Sequence, residues 1–412
     1  MNRLRLWSSI LCATFLLAAC NPGQPVTDGQ TALNDEESEE YKPAPLPDIK
    51  VGERPDPSTD EAGLWLVVER EENKLHRAGN LITDRRLNEY VRNIVCDLSG
   101  PYCPDIRVYI LRVPAFNATM APNGMMMVWS GLLLRARNEA QLAAVLGHEI
   151  GHYLRRHSIQ RFRNIRDTAG FLTFFSMGMA VGGVPGIADI AALAAMGSLS
   201  SFSRDNEAEA DALGAERIAE AGYDPREAAA VWNNVIEEYE RADIKREFSF
   251  FLSSHPRPED REKDLTQRAE ELIKAKGSPG SKHVARYRAA IAPFRTMMLR
   301  DEVRRRDYKR TVGLIDMLLE NGFRKGELHY FKGEVFRLRD NQEENDRAAA
   351  LEQYEKARNI GGYPPRMYKS IGLLNLRQKN MPAARKAFRQ YLKLTPNAPD
   401  KGYILSVINP SS

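Results

Sequence analysis

Apolar residues recur at helical spacing between Asn138 and His157, and this pattern predicts a single amphipathic helix over that segment. The apolar positions on its buried face are Leu142, Val145, Leu146 and Ile150. Asn138 is a residue type that caps helix N-termini, and Gln141 follows three positions later, as a capping box requires. The sequence therefore defines where this helix begins.

The flanking segments predict further helices and a small sheet. Helices are predicted over Leu64–Ala78 and Asp84–Leu98, and the Asp224-Pro225 pair begins another. Alternating apolar and polar residues predict a strand over Asp105–Val113, and the run Met125–Trp129 predicts a second strand. The expected fold class is therefore mainly α (α+β).

From about Arg286 the pattern changes to short helix pairs that resemble tetratricopeptide (TPR) repeats. The positions that match one copy are Tyr368, Ile371, Gly372, Ala384, Phe388 and Pro396. Those that mark an earlier copy are Gly333, Ala350, Tyr354 and Ala357. Tyr308–Leu319 is a candidate degenerate helix pair. Stacked repeats form a concave groove for a peptide or a partner helix; the alternative is a packing module that only supports the preceding domain.

The predicted central helix carries a motif with metal-ligand spacing, His148-Glu149-Ile150-Gly151-His152. Residues four apart share a helix face, so both imidazoles can bind one zinc ion. Glu149 follows the first histidine and is placed to act as a general base toward water. The alternative is two solvated or core histidines on an amphipathic helix.

A third ligand is predicted on a later helix that begins after Ser203. Glu207 supplies a carboxylate, which with two imidazoles leaves the fourth zinc position open for catalysis. Asp211 lies one turn further on and can accept the second ring N–H of a zinc-binding histidine. The alternative is that these acids only favour the positive end of the helix dipole.

Four ordered segments together resemble the HtpX/BepA-type zinc peptidases, metallopeptidase family forty-eight. They are the His148–His152 motif, Ser203–Asp211 (S-R-x-x-E-x-x-A-D), Asn117–Gly124 (N-A-x-x-x-P-x-G) and His255–Arg261 (H-P-x-P-x-x-R). The resemblance implies a zincin-type helical metallopeptidase domain with a small β-sheet at the active-site cleft.

The same resemblance implies roles for two further residues. It places Asn117 beside an edge strand that a substrate peptide extends, so that Asn117 holds the substrate backbone; the alternative is a turn residue before Pro122. It places His255 near the metal, where the histidine either stabilises the oxyanion or occupies the open zinc position at rest.

The N-terminus predicts a lipoprotein signal peptide. A basic start and the short apolar run Trp7–Leu17 precede Leu17-Ala18-Ala19-Cys20, which resembles a bacterial lipobox. Cleavage before Cys20 leaves a lipidated cysteine, and Asn21 favours the outer membrane over the inner one. The alternative is an ordinary secretory signal with an incidental cysteine.

Composition divides the chain into four predicted parts. They are a signal peptide (1–19), a lipidated cysteine and disordered, proline-rich and acidic tether (20–60), a zinc metallopeptidase domain (61–285) and a TPR-like helical repeat domain (286–412). In an oxidising periplasm, Cys96 and Cys103 are expected to form a disulfide. Free thiols or metal binding are the alternatives.

Thr168–Ser203 contains one charged residue, Asp189, and is expected to be a helical hairpin or lid beside the cleft, or plain core. A single membrane crossing there would separate the two histidines from Glu207. The histidines without ligand spacing are expected on the surface: His76, His157, His283 and His329.

These features together predict a zinc-dependent metalloendopeptidase of the periplasm, anchored to the outer membrane by a lipid. The resemblance implies substrates among misfolded or stalled envelope proteins, with the repeats docking clients or the outer-membrane assembly machinery. A chaperone-like assembly factor with rare or latent proteolysis is the rival prediction; a multi-span membrane protease lacks enough apolar segments. The net charge of +4 is too small to indicate a nucleic-acid partner.

Overall fold

The computed structural model describes residues 46–166, 202–243, 255, 261–342 and 344–409. Within them the fold is mainly helical with one small sheet, which confirms the expected fold class. The elements up to the sheet are α1 (Asp60–Leu75), α2 (Arg85–Ser99), β1 (Arg107–Leu111), β2 (Ala118–Met120) and β3 (Met125–Trp129). Next come α3 (Ser130–Arg135), α4 (Glu139–Leu154), α5 (His157–Arg166), α6 (Arg204–Glu220), α7 (Glu227–Arg241) and α8 (Arg261–Lys276). The remaining helices are α9 (Val284–Arg304), α10 (Tyr308–Glu320), α11 (Lys325–Arg339), α12 (Asp346–Ile360), α13 (Arg366–Arg377), α14 (Met381–Leu394) and α15 (Lys401–Ile408).

The sheet has the strand order β1-β3-β2. β1 runs parallel to β3, with Arg107 opposite Met125, and β2 runs antiparallel to β3, with Ala118 opposite Val128. β2 is thus an edge strand at the place that the family resemblance implies. Its three residues are too few to give an alternating pattern, which is why only β1 and β3 are predicted from periodicity.

α4 lies in the main hydrophobic core, and all of its residues are buried. The Asn138 side chain accepts the backbone N–H of Gln141 at 2.9 Å, as expected for the N-cap. The Gln141 side chain accepts the N–H of Arg137 at 2.8 Å, one residue earlier than a standard capping box requires. The cap fixes the register in which α4 presents its histidines.

Glycines let α6 pack unusually close to α4. A Cβ atom added to Gly151 would lie 2.9 Å from the Ala210 carbonyl oxygen, and one added to Gly214 would lie 2.9 Å from the His148 nitrogen. Both distances are shorter than side chains tolerate, so larger residues would separate the helices. This close approach brings the acidic residues of α6 to the histidines of α4.

The single helix predicted over Asn138–His157 is wrong at its C-terminal end. α4 ends at Leu154, and Arg156 has φ 56°, a left-handed conformation that a helix cannot contain. His157 begins the separate helix α5 and is only 1% exposed. The expectation that His157 is a surface residue is therefore also wrong.

The folded region begins before the predicted boundary at residue 61. Ile49 is buried, its N–H donates to the Leu154 carbonyl at 3.1 Å, and its own carbonyl accepts the Tyr102 hydroxyl. Residues 46–59, predicted as tether, are therefore in part held against the fold. Cys96 and Cys103 are joined by a disulfide near the end of α2.

The helices after α9 pack in pairs, α11 with α12 and α13 with α14. A Cβ atom at Gly333 would lie 2.5 Å from the Tyr354 ring, and one at Gly372 would lie 2.5 Å from the Phe388 ring. These glycine–aromatic contacts join residues that the repeat pattern singles out. The predicted helix pair over Tyr308–Leu319 is a single helix, α10. The tetratricopeptide assignment itself stays a prediction.

Several predicted features lie outside the described residues. They are the signal peptide, Cys20, and the segment Thr168–Ser203 apart from Phe202 and Ser203. Among the helices of the described residues, none combines the length and the apolar character that crossing a membrane requires.

Candidate active site

Four side chains predicted to form the site converge between α4 and α6. His148, His152, Glu207 and His255 each offer a ligand atom, and these atoms lie within 4.8 Å of one another. None of the four side chains is more than 3% exposed. Charged and polar groups are rarely buried to this extent without a partner or a metal ion, so the cluster calls for a cation.

The spacing of the donor atoms matches zinc. The Nε2 atoms of His148 and His152 are 3.0 Å apart, and Nδ1 of His255 lies 3.2 Å from Nε2 of His148. The Glu207 carboxylate lies 2.9 Å from Nδ1 of His255 and 3.4 Å from Nε2 of His152. Tetrahedral zinc with bonds of about 2.0–2.2 Å needs ligand atoms roughly 3.3 Å apart, so these residues fit one zinc ion.

Hydrogen bonds outside the cluster set the tautomer of His148. Its Nδ1–H donates to Asp211 at 2.9 Å, which leaves the Nε2 lone pair facing the cluster. Arg261 holds Asp211 in turn by a bidentate contact, with Nη2 at 2.7 Å from Oδ1 and Nε on the other oxygen. Arg261 therefore orients the carboxylate that orients the ligand.

Glu149 lies on the opposite side of His255 from Glu207. Its Oε1 is 3.5 Å from Nε2 of His255, and its carboxylate accepts the backbone N–H of Met120 in β2. Burial raises the pKa of Glu149, although the neighbouring histidines act in the other direction. A raised pKa suits a carboxylate that takes a proton and later returns it.

Glu207 has the opposite electrostatic environment. Burial alone would raise its pKa, but the charge of His255 and hydrogen bonds from His152 and His255 hold that pKa well below the ordinary value. Arg261 adds an ion pair at 2.7 Å. Glu207 is therefore an anion at any working pH, as a metal ligand must be.

Asn117 is fully buried at the start of β2, and within the described residues neither atom of its side-chain amide has a hydrogen-bond partner. A buried polar group left without a partner costs about 1–3 kcal/mol. Its own backbone carbonyl accepts the N–H of Trp129 in β3, so the residue is fixed in place.

Comparison with known protein families identifies the region around this site. Residues 82–269 match the model for peptidase family M48, and they include every residue of the cluster, Glu149, Asn117 and Asp211. The chain carries an M48 domain. Members of this family depend on zinc, in agreement with the donor set described above.

Curated relatives of this M48 domain include bacterial and mitochondrial proteases. The chain is 29% identical over 224 residues to a putative beta-barrel assembly-enhancing protease of Vibrio cholerae, covering 50% of this chain and 44% of that protein. It is 32% identical over 160 residues to mitochondrial metalloendopeptidase OMA1 of Arabidopsis thaliana (39% and 31% covered). It is 25% identical over 208 residues to the beta-barrel assembly-enhancing protease of Escherichia coli (48% and 42% covered). The matches thus span less than half the length of these relatives.

His157 is a part of the M48 site that the sequence does not reveal. Nδ1 of His152 lies 2.9 Å from Nδ1 of His157, and Nε2 of His157 lies 3.1 Å from Glu209. With the Nε2–H of His157 donating to Glu209, its Nδ1 accepts from His152, whose Nε2 lone pair then faces the cluster. The His157–Glu209 pair therefore fixes the tautomer of His152, just as Asp211 and Arg261 fix the tautomer of His148.

Two aromatic residues complete the walls of the site and are also absent from the sequence prediction. The Phe202 ring stacks on His152 with 3.9 Å between centroids. Trp232 meets the His148 ring edge to face at 5.7 Å and lies under the Arg261 guanidinium. Neither residue has a spacing that marks it in the sequence, since both reach the site only through the packing of separate elements.

Replacing His157 with alanine is expected to weaken zinc binding by about 10- to 100-fold, because His152 loses the acceptor that fixes its tautomer. The measurement is competition for zinc against a chromogenic chelator. His76→Ala, which changes an exposed histidine outside the cluster, is the matched control and is expected to bind zinc like the parent. Equal zinc affinity for His157→Ala and the parent would contradict the role assigned to His157.

Proposed function

We propose that the chain is a zinc-dependent metalloendopeptidase that hydrolyses peptide bonds in unfolded or misassembled proteins of the bacterial envelope. The observation that carries the proposal is the buried four-donor cluster with Glu149 between it and the edge strand β2. The relatives support it, since they are named as proteases and metalloendopeptidases.

Substrate is proposed to bind along β2. An extended peptide that pairs with this edge gains main-chain hydrogen bonds with little dependence on its sequence. The free amide of Asn117 supplies both a donor and an acceptor to the peptide backbone. Because Met120 of the same strand donates to Glu149, a peptide on this edge lies next to the general base.

His148, His152 and Glu207 would hold a zinc ion, which would supply Lewis acidity toward the scissile carbonyl and the attacking water. Glu149 takes the proton of the attacking water and then gives it to the amine that leaves. Asp211, Arg261, His157 and Glu209 keep the two histidine rings in their tautomers and orientations. Phe202 and Trp232 keep water away from the rings.

His255 is proposed to hold the site closed at rest. Its Nδ1 lies within 3.2 Å of both His148 and Glu207, where the fourth position of a catalytic zinc site is normally open. A substrate carbonyl and His255 then compete for one place. Of the two roles predicted for His255, these distances favour the resting ligand over the oxyanion donor.

His255→Ala is expected to raise the basal cleavage of unfolded casein about tenfold or more, because a closed resting state leaves only a minor open population. The assay follows fragment formation by mass spectrometry, and internal fragments are expected from an endopeptidase. His283→Ala is the control, since His283 is half-buried outside the cluster. A lower rate in His255→Ala would make His255 a transition-state residue, and absence of cleavage in every form would oppose the peptidase proposal.

The finer proposals concern location and partners. Lipidation at Cys20 would tether the domain to the periplasmic face of the outer membrane, and the helical repeats would dock clients or the assembly machinery. Similarity to the beta-barrel assembly-enhancing protease of E. coli supports an envelope role. Retention of a Cys20→Ser form in the soluble periplasmic fraction, with the parent in the outer membrane, is the expected result.

A further inference from the structure

A second cavity with strong charge lies among α9, α11 and α13, outside the M48 domain. Its volume is about 320 Å³, and its lining residues all fall between Thr296 and Arg366. Five arginines line it, namely Arg300, Arg304, Arg306, Arg337 and Arg366. We call it the arginine cavity.

The single acidic residue among the lining side chains, Glu334, is already engaged. Its carboxylate accepts hydrogen bonds from Nη2 and Nε of Arg337, at 2.7 and 3.0 Å, and from the Tyr354 hydroxyl at 2.5 Å. Burial would raise its pKa, but Arg337 and the hydroxyl hold that pKa below the ordinary value. Glu334 is therefore already paired, and it does not offset the charges of the other lining arginines.

The remaining arginines lack strong partners. Arg304 makes one long contact, 3.7 Å to Asp301, with most of its side chain exposed. Among the described residues, Arg300, Arg306 and Arg366 have no ion-pair partner. These four arginines are exposed, so water screens their mutual repulsion, and a bound anion would offset their charges further.

The floor of the arginine cavity is aromatic and offers one unused donor. Tyr330 and Phe331 are 4% and 3% exposed and both line the cavity. Burial raises the pKa of the Tyr330 hydroxyl, which is therefore protonated at neutral pH, and in the described part of the chain it has no hydrogen-bond partner. The hydroxyl of this largely buried side chain can donate to a molecule in the cavity, and an anion is the acceptor best matched to the arginines around it.

We propose that the arginine cavity is a docking site for an acidic peptide segment, with two or three clustered Asp or Glu side chains. Planar guanidinium forks match planar carboxylates and bind them bidentately. The volume is at the small end for a ligand site, which suits a few side chains rather than a whole unfolded client. The apolar floor and the half-exposed Leu338 favour a peptide over a flat membrane surface, because they contact the aliphatic parts of neighbouring residues.

The test is fluorescence anisotropy with the full chain carrying Glu149→Gln, so that the probe is not cleaved. The probe is a labelled twelve-residue peptide with four glutamates among leucine and tyrosine residues. The comparison peptide has the same sequence with glutamine at the four glutamate positions. The acidic peptide is expected to bind about tenfold or more tightly than the glutamine peptide, and more weakly as salt is raised.

The double variant Arg300→Glu/Arg366→Glu is expected to lower the affinity for the acidic peptide about tenfold or more. Arg389→Glu/Lys393→Glu changes the net charge equally at exposed positions of α14 outside the cavity and is expected to bind like the parent. Tyr330→Phe removes only the hydroxyl and is expected to weaken binding several-fold while the fold is kept. It keeps the test decisive if the double variant does not fold.

Equal binding of the two peptides, or equal loss in the cavity and control double variants, would overturn the proposal. The proposal is supported if the unlabelled acidic peptide displaces the labelled one and the unlabelled glutamine peptide does not. Binding of phosphatidylglycerol vesicles or inorganic phosphate in the absence of measurable peptide binding would overturn it in favour of a phosphate site. Zinc binding and casein cleavage use separate residues and separate readouts, so the two proposals fail independently.

Discussion

Glu149→Gln is expected to lower the rate of casein cleavage by about 10²- to 10⁴-fold while the zinc content stays near that of the parent. Glutamine has nearly the same shape but cannot take a proton from water. Glu149 is 3% exposed and lies 3.5 Å from Nε2 of His255. In the variant, Glu207 still partners His255 at 2.9 Å from Nδ1, so no buried charge is left without a partner. The effect should therefore be chemical rather than structural.

Initial rates with labelled casein and zinc analysis of the same samples provide the measurement. Glu220→Gln, at the exposed end of α6, is the matched control and should keep the full rate. A Glu149→Gln protein with a tenth or more of the parent rate would mean that another group is the base. In cells, the peptidase proposal predicts loss of the phenotype in this variant, whereas a chaperone-like factor predicts that most of it persists.

Glu207→Gln is expected to weaken zinc binding by more than about 100-fold, because a neutral amide replaces an anionic ligand. Loss of a group that only hydrogen-bonds to a metal ligand already lowers metal affinity by about 10- to 100-fold. Loss of the carboxylate also leaves Arg261 with one fewer counter-ion, although Asp211 still holds it. Chelator competition measures the affinity, and circular dichroism of the same samples shows whether the fold persists. Cleavage should fall in parallel with bound zinc.

Asp205→Asn is a matched control for Glu207→Gln because both acidic residues lie in the first turn of α6. Asp205 is exposed, whereas Glu207 is 1% exposed within the cluster. If the acids served only the helix dipole, both variants would lose a few tenths to about 1 kcal/mol of stability and neither would affect zinc. Equal zinc affinity in the two variants would exclude Glu207 as a ligand.

The parts of the site that the sequence predicts are those with a local signature. The Asn138 cap and the four-residue spacing of His148 and His152 are visible within one helix. Glu207 was predictable because α6 begins with a recognisable N-cap and an acidic pair at the same spacing as the histidines. Short-range pattern therefore predicts three donors and the adjacent base.

The parts that the sequence misses depend on long-range packing. A left-handed Arg156 ends α4 and turns His157 back toward His152, and no residue type there signals the break. The contact between His157 and Glu209 then depends on the close approach of α4 and α6 through Gly151 and Gly214. The lack of a hydrogen-bond partner for the Asn117 amide among the described residues is likewise a property of the folded core.

The most direct test of the central claim is cleavage of unfolded casein after the metal is removed and then restored. The purified chain is treated with a strong chelator, dialysed and titrated with zinc, with His148→Ala as the control that lacks a ligand. Loss of cleavage on removal, and full recovery at about one equivalent of zinc in the parent but not in His148→Ala, is the expected result. Cleavage that survives complete removal of zinc, or that returns equally in His148→Ala, would contradict a zinc peptidase built on His148, His152 and Glu207.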